Sequence, residues 1–354
     1  LISGTRAAAA GGFTTVLAMA NTKPPIDTAA RLEELLARAR SHAAVHVLQA
    51  ACLTVGGRGD MLVDGAALKY AGAMALTDDG TCIQDDATMA EALRMAHAIG
   101  LPVIEHCEDV GLAAGGVMHS GACAKRLGLP GKGRASEDAI IARDAALAAQ
   151  TGHAVHIQHI SSGHGVALVR AAQAKGICLS AEATPHHIAL TDEAVAEYGS
   201  NAKMNPPLRE DADRQAILAG LADGTIAVIA TDHAPHTQAE KAAGMMTAPF
   251  GIIGLETAVP ICLTHLYHAG VLSLPQLIAK FTVGPRTILG LAAGTLGLGH
   301  IADVTLLDPD TEVVVDVNTF YSRGRNCPYH GWALRGQALA TIVAGRWAHR
   351  QNKS

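Results

Sequence analysis

The chain has 354 residues, 49% of them apolar and 17% charged, with a formal net charge of −5. A charged fraction well under the usual ~25% allows a large core and excludes global disorder. With 32 acidic against 27 basic residues, no cationic surplus can neutralise phosphates, which argues against a nucleic-acid partner, and no apolar run reaches the ~18 residues of a membrane span.

The length suits one large α/β barrel or two ordinary domains. The chain opens at Leu1 without Met or a signal-like segment, so an earlier strand is expected to precede Leu1. Short apolar stretches, several rich in Val and Ile, predict strands over residues 14–21, 46–53, 72–77, 102–106, 154–160, 178–184 and 225–231. Helical periodicity fills the gaps at 28–42, 87–99, 136–150, 166–175 and 211–222. Strands alternating with helices imply a parallel sheet. Seven strands fall one short of a (β/α)8 barrel. Further helices are predicted at 255–268, 274–281 and 285–291, then strands at 302–307, 312–317 and 340–347. The expected organisation is a barrel over 1–295 and part of a small β-sandwich over 296–354.

Active sites of parallel barrels lie at the C-terminal ends of the strands. Those ends carry Asn21, Asp78 and Asp79, His106, His159, Glu182 with His186 and His187, and Asp232, His233 and His236. Imidazoles and carboxylates converging on one mouth suit a zinc-type site. Taken singly each has a plainer reading. Asp-Asp-Gly is ordinarily a turn, and Thr184 with its two histidines could be a helix cap followed by surface residues. His119, His164, His300 and His349 read as surface polar residues, and His265 and His268 as surface or packing residues of a helix. The Gly11–Gly12 pair lacks the rest of a phosphate loop and reads as a turn. Seven cysteines, none in a CxxC pair, indicate neither a disulfide framework nor a thiolate zinc site and fit a reducing, cytoplasmic compartment.

The segments GGFTTVLAMANTKP, TDDG, EHCED, HISS, EATPHHIALTDE, KMNPPLR, ATDHAPH and GIIGLETAVP together resemble the type I dihydroorotases of the amidohydrolase superfamily, in order along essentially the whole chain. The resemblance implies a zinc-dependent (β/α)8 barrel with a small β-sandwich, and reversible cyclisation of N-carbamoyl-L-aspartate to L-dihydroorotate in pyrimidine synthesis. It implies two zinc ions. Asp79 corresponds to the bridging carboxylate, His106 and His159 to ligands of one ion, and Asp232 to a ligand of the other and the catalytic acid/base. Asn21, Asn205 and His236 correspond to substrate contacts, and Phe250–Gly251 to backbone touching the pyrimidine ring. The implied partners are the small-molecule substrate, a second copy of the chain, and an aspartate transcarbamoylase.

Two features depart from the family. Its first strand carries His-x-His and an Arg, and no His-x-His occurs here; the expectation is that they lie upstream of Leu1. Ala20 stands where the family usually has Pro. Two other readings compete. An allantoinase- or hydantoinase-like amidase would use a carbamylated Lys, yet Ala75, Leu76 and Thr77 offer none. A catalytically inactive structural partner of aspartate transcarbamoylase would show eroded ligands, yet the four candidates are intact.

Overall fold

A computed structural model describes residues 1–292 and 294–351. After an initial helix, Ile2–Ala10, come the strands β1 (Thr15–Ala18), β2 (His46–Ala51), β3 (Ala75–Leu76) and β4 (Val103–Glu105). Next are β5 (Met118–His119), β6 (Gly131–Lys132), β7 (Val155–Ile157), β8 (Leu179–Ala183) and β9 (Val228–Ile229). Seven of these form one parallel sheet in the order β1-β2-β3-β4-β7-β8-β9. All seven strands anticipated from the sequence are therefore present and adjacent in chain order, each shorter than expected. β5 and β6 form a separate parallel pair in the excursion after β4.

Four of the intervening helices start where the sequence supplies a cap. Thr28, Asp64, Asp85 and Ser162 each accept a hydrogen bond from a backbone N–H of the first turn, satisfying a donor that the helix cannot. Leu32, Met89, Leu93, Ile141, Val166, Val169, Ile217 and Leu221 then bury one face of these helices against Leu76, Val103, Val155 and Ile157 of the sheet. The opposite face of the sheet is more polar. In β8, Leu179, Ala181 and Ala183 are buried while Ser180 and Glu182 are half-buried. Those two grip His156 of β7, with His156 Nδ1 2.9 Å from Ser180 Oγ and Nε2 3.1 Å from Glu182 Oε2. A two-residue alternation thus separates an apolar layer under the helices from a polar interior.

The tail differs in detail from its sequence pattern. Residues 302–307 and 312–317 are not two strands; one bulged strand, β10 (Val304–Val314), spans most of both. Its register shifts at Leu306/Leu307 and Asp308/Glu312 absorb the turn signal of Pro309. Conversely, 340–347 is not one strand. β11 (Ala333–Val343) ends there and β12 (Arg346–Arg350) begins, with a tight turn at Ala344 (φ 47) and Gly345 (φ 78). Positive φ at both central residues suits a two-residue hairpin, but Ala is a poor signal for it. This three-stranded antiparallel sheet is tied to the start of the chain. Thr341 Oγ1 donates to Ala9 O at 2.6 Å and Thr305 Oγ1 to Gly12 O at 2.7 Å. The last three residues of the expected second unit lie outside the described residues.

Candidate active site

Asp79, His106 and His159 come together just beyond the C-terminal ends of β3, β4 and β7. One ligand atom from each lies within 4.8 Å of the others. His106 Nδ1 is 3.0 Å from His159 Nε2, and Asp79 Oδ1 is 3.9 Å from each of these nitrogens. Asp78 points elsewhere. Its carboxylate accepts from the Leu53 and Thr54 amides at 2.9 and 3.1 Å and from the Thr54 hydroxyl, which makes it a brace between two strand ends. Asn21, beyond β1, donates from Nδ2 to Asp79 Oδ2 at 2.7 Å.

Asp232 lies beyond β9 and faces the same interior, with Oδ2 3.9 Å from His186 Nε2. His159 (φ 31) and Asp232 (φ 46) both hold left-handed backbone. For residues other than Gly this conformation costs of order 1–3 kcal/mol and tends to collect at functional sites. The electrostatics are tightly shared. Burial pushes the Asp232 carboxyl up to about 7, with the His159 ring opposing and the Asp79 and Glu182 carboxylates adding to it. Burial disfavours the charged His159 ring, yet the facing Asp79 and Asp232 carboxylates carry it up to about 9. Burial also holds His186 well below the ordinary histidine range, reinforced by His187 and His159.

The donor set suits a divalent cation. Two imidazole nitrogens and a carboxylate oxygen converge, with the second carboxylate, Asp232, acting on the same His159 ring. His186 Nε2 is buried without a hydrogen-bond partner, an unsatisfied atom that calls for an explanation at this depth. His106 is also held from behind, its Nε2 lying 3.4 Å from Glu108 Oε2 and 3.2 Å from Asn205 Nδ2. A metal-binding histidine commonly has its far nitrogen fixed in this way. Lys132, on β6, donates to Glu108 Oε2 and Asn205 Oδ1, both at 2.7 Å.

The remaining candidates sit on the rim. His236 Nε2 lies 2.8 Å from Phe250 O. With Nε2–H given to that carbonyl, the neutral ring offers only an acceptor at Nδ1. Gly251 has φ +108, and a Cβ there would stand 2.5 Å from Ala234 Cβ, so only Gly fits. The structure thus brings Asp79, His106 and His159 into one cluster, sets Asn21 and Asn205 against it, and pairs His236 with Phe250.

Several neighbours lie deeper than their plainer sequence reading, or had no sequence reading as site residues. Thr184 does cap a helix, Pro185–Ala189, but His186 and His187 are buried, not exposed. His119, expected at the surface, is 1% exposed with Nδ1 3.3 Å from Arg209 Nη1. Glu108, Lys203 and Arg209 lay inside quoted motifs without a role. Lys132 and Lys241 stood in a loop or near a helix start, where a charged residue reads as solvated.

The fold is shared with structurally characterised hydantoinases and dihydropyrimidinases. The chain superimposes on an L-hydantoinase (dihydropyrimidinase) from Arthrobacter aurescens with a TM-score of 0.88 at 24% identity, covering 99% of this chain and 80% of that one. A dihydropyrimidinase from Brevibacillus agri gives 0.85 at 21%, covering 99% and 79%. At such identities the likeness defines the architecture alone: a (β/α)8-type barrel with an antiparallel sheet attached. Sequence narrows it. Residues 1–164 match the family model described as dihydro-orotase-like. A dihydroorotase from Geobacillus sp. (strain WCH70) is 50% identical over 346 residues, 98% of this chain and 81% of that protein. One from Bacillus caldolyticus is 48% identical over 343 residues, covering 97% and 80%. The chain belongs to the dihydroorotase family.

Proposed function

We propose that the protein is a dihydroorotase, a cyclic amide hydrolase that interconverts L-dihydroorotate and N-carbamoyl-L-aspartate in pyrimidine synthesis. The observation that carries the reading is the convergence of Asp79, His106 and His159 at three adjacent strand ends, in a chain half identical to a dihydroorotase over nearly its whole length.

Asp79, His106 and His159, with Asp232, are the residues that would hold zinc, two ions in the proposed complement. Zinc bound there lowers the pKa of water toward 7 and polarises a carbonyl. Asp232 is the proposed proton carrier: in ring opening it takes the proton of the attacking water and delivers it to the leaving ring nitrogen, and in closure it does the reverse. Asn21 and His236 are proposed to bind the substrate carboxylate, and Asn205 with the Phe250–Gly251 backbone to orient the ring. Glu108 keeps His106 turned toward Asp79, so that no rotamer search precedes binding.

No helix among the described residues is long and apolar enough to cross a membrane. All seven cysteines are free, which supports the proposal of a reducing cytoplasmic setting. A second copy of the chain and an aspartate transcarbamoylase complete the proposed partners. The test is turnover of dihydroorotate beside hydantoin and allantoin. Preference for dihydroorotate is expected; preference for either other ring would replace this reading with a hydantoinase- or allantoinase-like one.

A further inference from the structure

Behind the Phe250–Gly251 segment lie two buried lysines, Lys203 at 3% and Lys241 at 4% exposure. Lys241 belongs to the short helix Gln238–Ala242, which begins just after His236 and is fixed by a capping box between Thr237 and Glu240. Its Nζ donates to Pro249 O and Gly251 O, both at 2.9 Å, and lies 3.5 Å from Lys203 O. Lys203 O accepts from Gly251 N at 2.9 Å. Lys203 Nζ donates to Ala248 O at 2.6 Å and sits 4.5 Å from the centre of the Phe250 ring. One ammonium therefore brackets Phe250 by the carbonyls on either side of it, and the second holds the residue before them.

Neither lysine has a carboxylate partner among the described residues. The nearby polar groups are the Lys132 ammonium, 5.3 Å from the Phe250 ring on β6, and the His236 ring, bonded to Phe250 O. Glu240 turns its carboxylate to Thr237. Burying an ammonium without a counter-charge costs several kcal/mol, and an aliphatic side chain of similar volume would avoid that cost. What the aliphatic chain lacks is three donors aimed at carbonyls, which an ammonium has and which no acceptor on it opposes.

We propose that Lys241, with Lys203 beside it, is a positioning residue that fixes the Phe250–Gly251 backbone in the shape that receives the substrate ring. The inference rests on the dihydroorotase reading for its substrate but not for its structural content. Burial, helped by the like charge of Lys203, brings Lys241 down to about 8, in keeping with a cation placed for its hydrogen bonds at the expense of its solvation.

The experiment compares the metal-loaded enzyme with its Lys241→Met and Lys203→Met variants by dihydroorotate kinetics and by amide hydrogen exchange. Lys241→Met is expected to raise KM at least tenfold and change kcat less than threefold. It is also expected to speed exchange at residues 250–252 at least tenfold, with the barrel strands unchanged. Lys203→Met should show the same pattern more weakly, and stands in should Lys241→Met fail to fold. Unchanged exchange at 250–252 overturns the proposal whatever ring the enzyme opens. Faster exchange with KM within twofold of the parent also overturns it. A parent that opens hydantoin and not dihydroorotate removes the functional reading instead, and the exchange result still decides the clamp.

Discussion

Replacing Arg209 by Met should destabilise the protein through one buried charge. Arg209 and Glu137 are 1% and 4% exposed in their side chains, with Nη2 3.2 Å from Glu137 Oε2. Arg209 also donates from Nε to Ser161 Oγ at 3.0 Å and from Nη1 to Lys132 O at 2.9 Å. Its loss leaves a buried carboxylate without a cation, a change that typically costs ~3–5 kcal/mol. Glu137 keeps the Ser161 amide at 2.6 Å and the Ser161 hydroxyl, which places the effect at the lower end, about 3 kcal/mol. At about 2 °C per kcal/mol for a chain of this size, the expected loss in Tm is roughly 6 °C. Because Ser161 follows His159 by two residues, the variant should also hold metal more weakly. Adding Glu137→Gln removes the stranded charge while keeping an acceptor for Ser161, so the double variant should regain at least ~1 kcal/mol, the scale of coupling between contacting residues. Urea denaturation of the four proteins reads the cycle. A single variant losing under ~1 kcal/mol, or a double variant no better than the sum of its singles, would refute the reasoning.

Three further outcomes are expected. Gly251→Ala sets a Cβ 2.5 Å from Ala234 Cβ at φ +108, a strain and overpacking cost of ~2–6 kcal/mol; it should lower kcat/KM by about 10²-fold or more, and activity within threefold of the parent would show that the loop's shape is immaterial. Asp232→Ala should leave the fold intact and reduce turnover below roughly 10⁻³ of the parent, so residual hydrolysis above that level would remove Asp232 as the proton carrier. Lys241 falls from 10.5 to about 8 on folding, so between those values the unfolded chain binds more protons. The parent's stability should therefore rise with pH relative to Lys241→Met across pH 8–10.5, by at most ~1.4 kcal/mol per unit; a flat or falling difference would mean that the ammonium is not desolvated as described.

The parts of the fold written locally were the legible ones. Short apolar stretches between segments of helical periodicity specify β2, β4 and β7 with little help from distant residues. The hairpin at Ala344–Gly345 was missed because an alanine occupies a left-handed position that turn chemistry normally gives to Asn or Gly. The bulged β10 was split because Pro309 reads as a terminator, whereas pairing with β11 carries the strand past it. His106 and His159 could be read from their places at strand ends, whereas Asp79 was separated from Asp78 only by the family resemblance. Lys203, Lys241, Arg209 and His119 could not be read. Their burial depends on segments some 38 to 90 residues apart meeting, and a charged side chain in a loop carries no mark of the carbonyls or carboxylate that it will face.

The central claim is that Asp79, His106 and His159 form a metal centre on which amide hydrolysis depends. Metal content per chain, measured on the purified parent and on His159→Ala, tests it most directly. The account predicts zinc in the parent and a lower stoichiometry in the variant, with dihydroorotate turnover falling alongside. Equal metal in both proteins, with turnover unchanged, would contradict it.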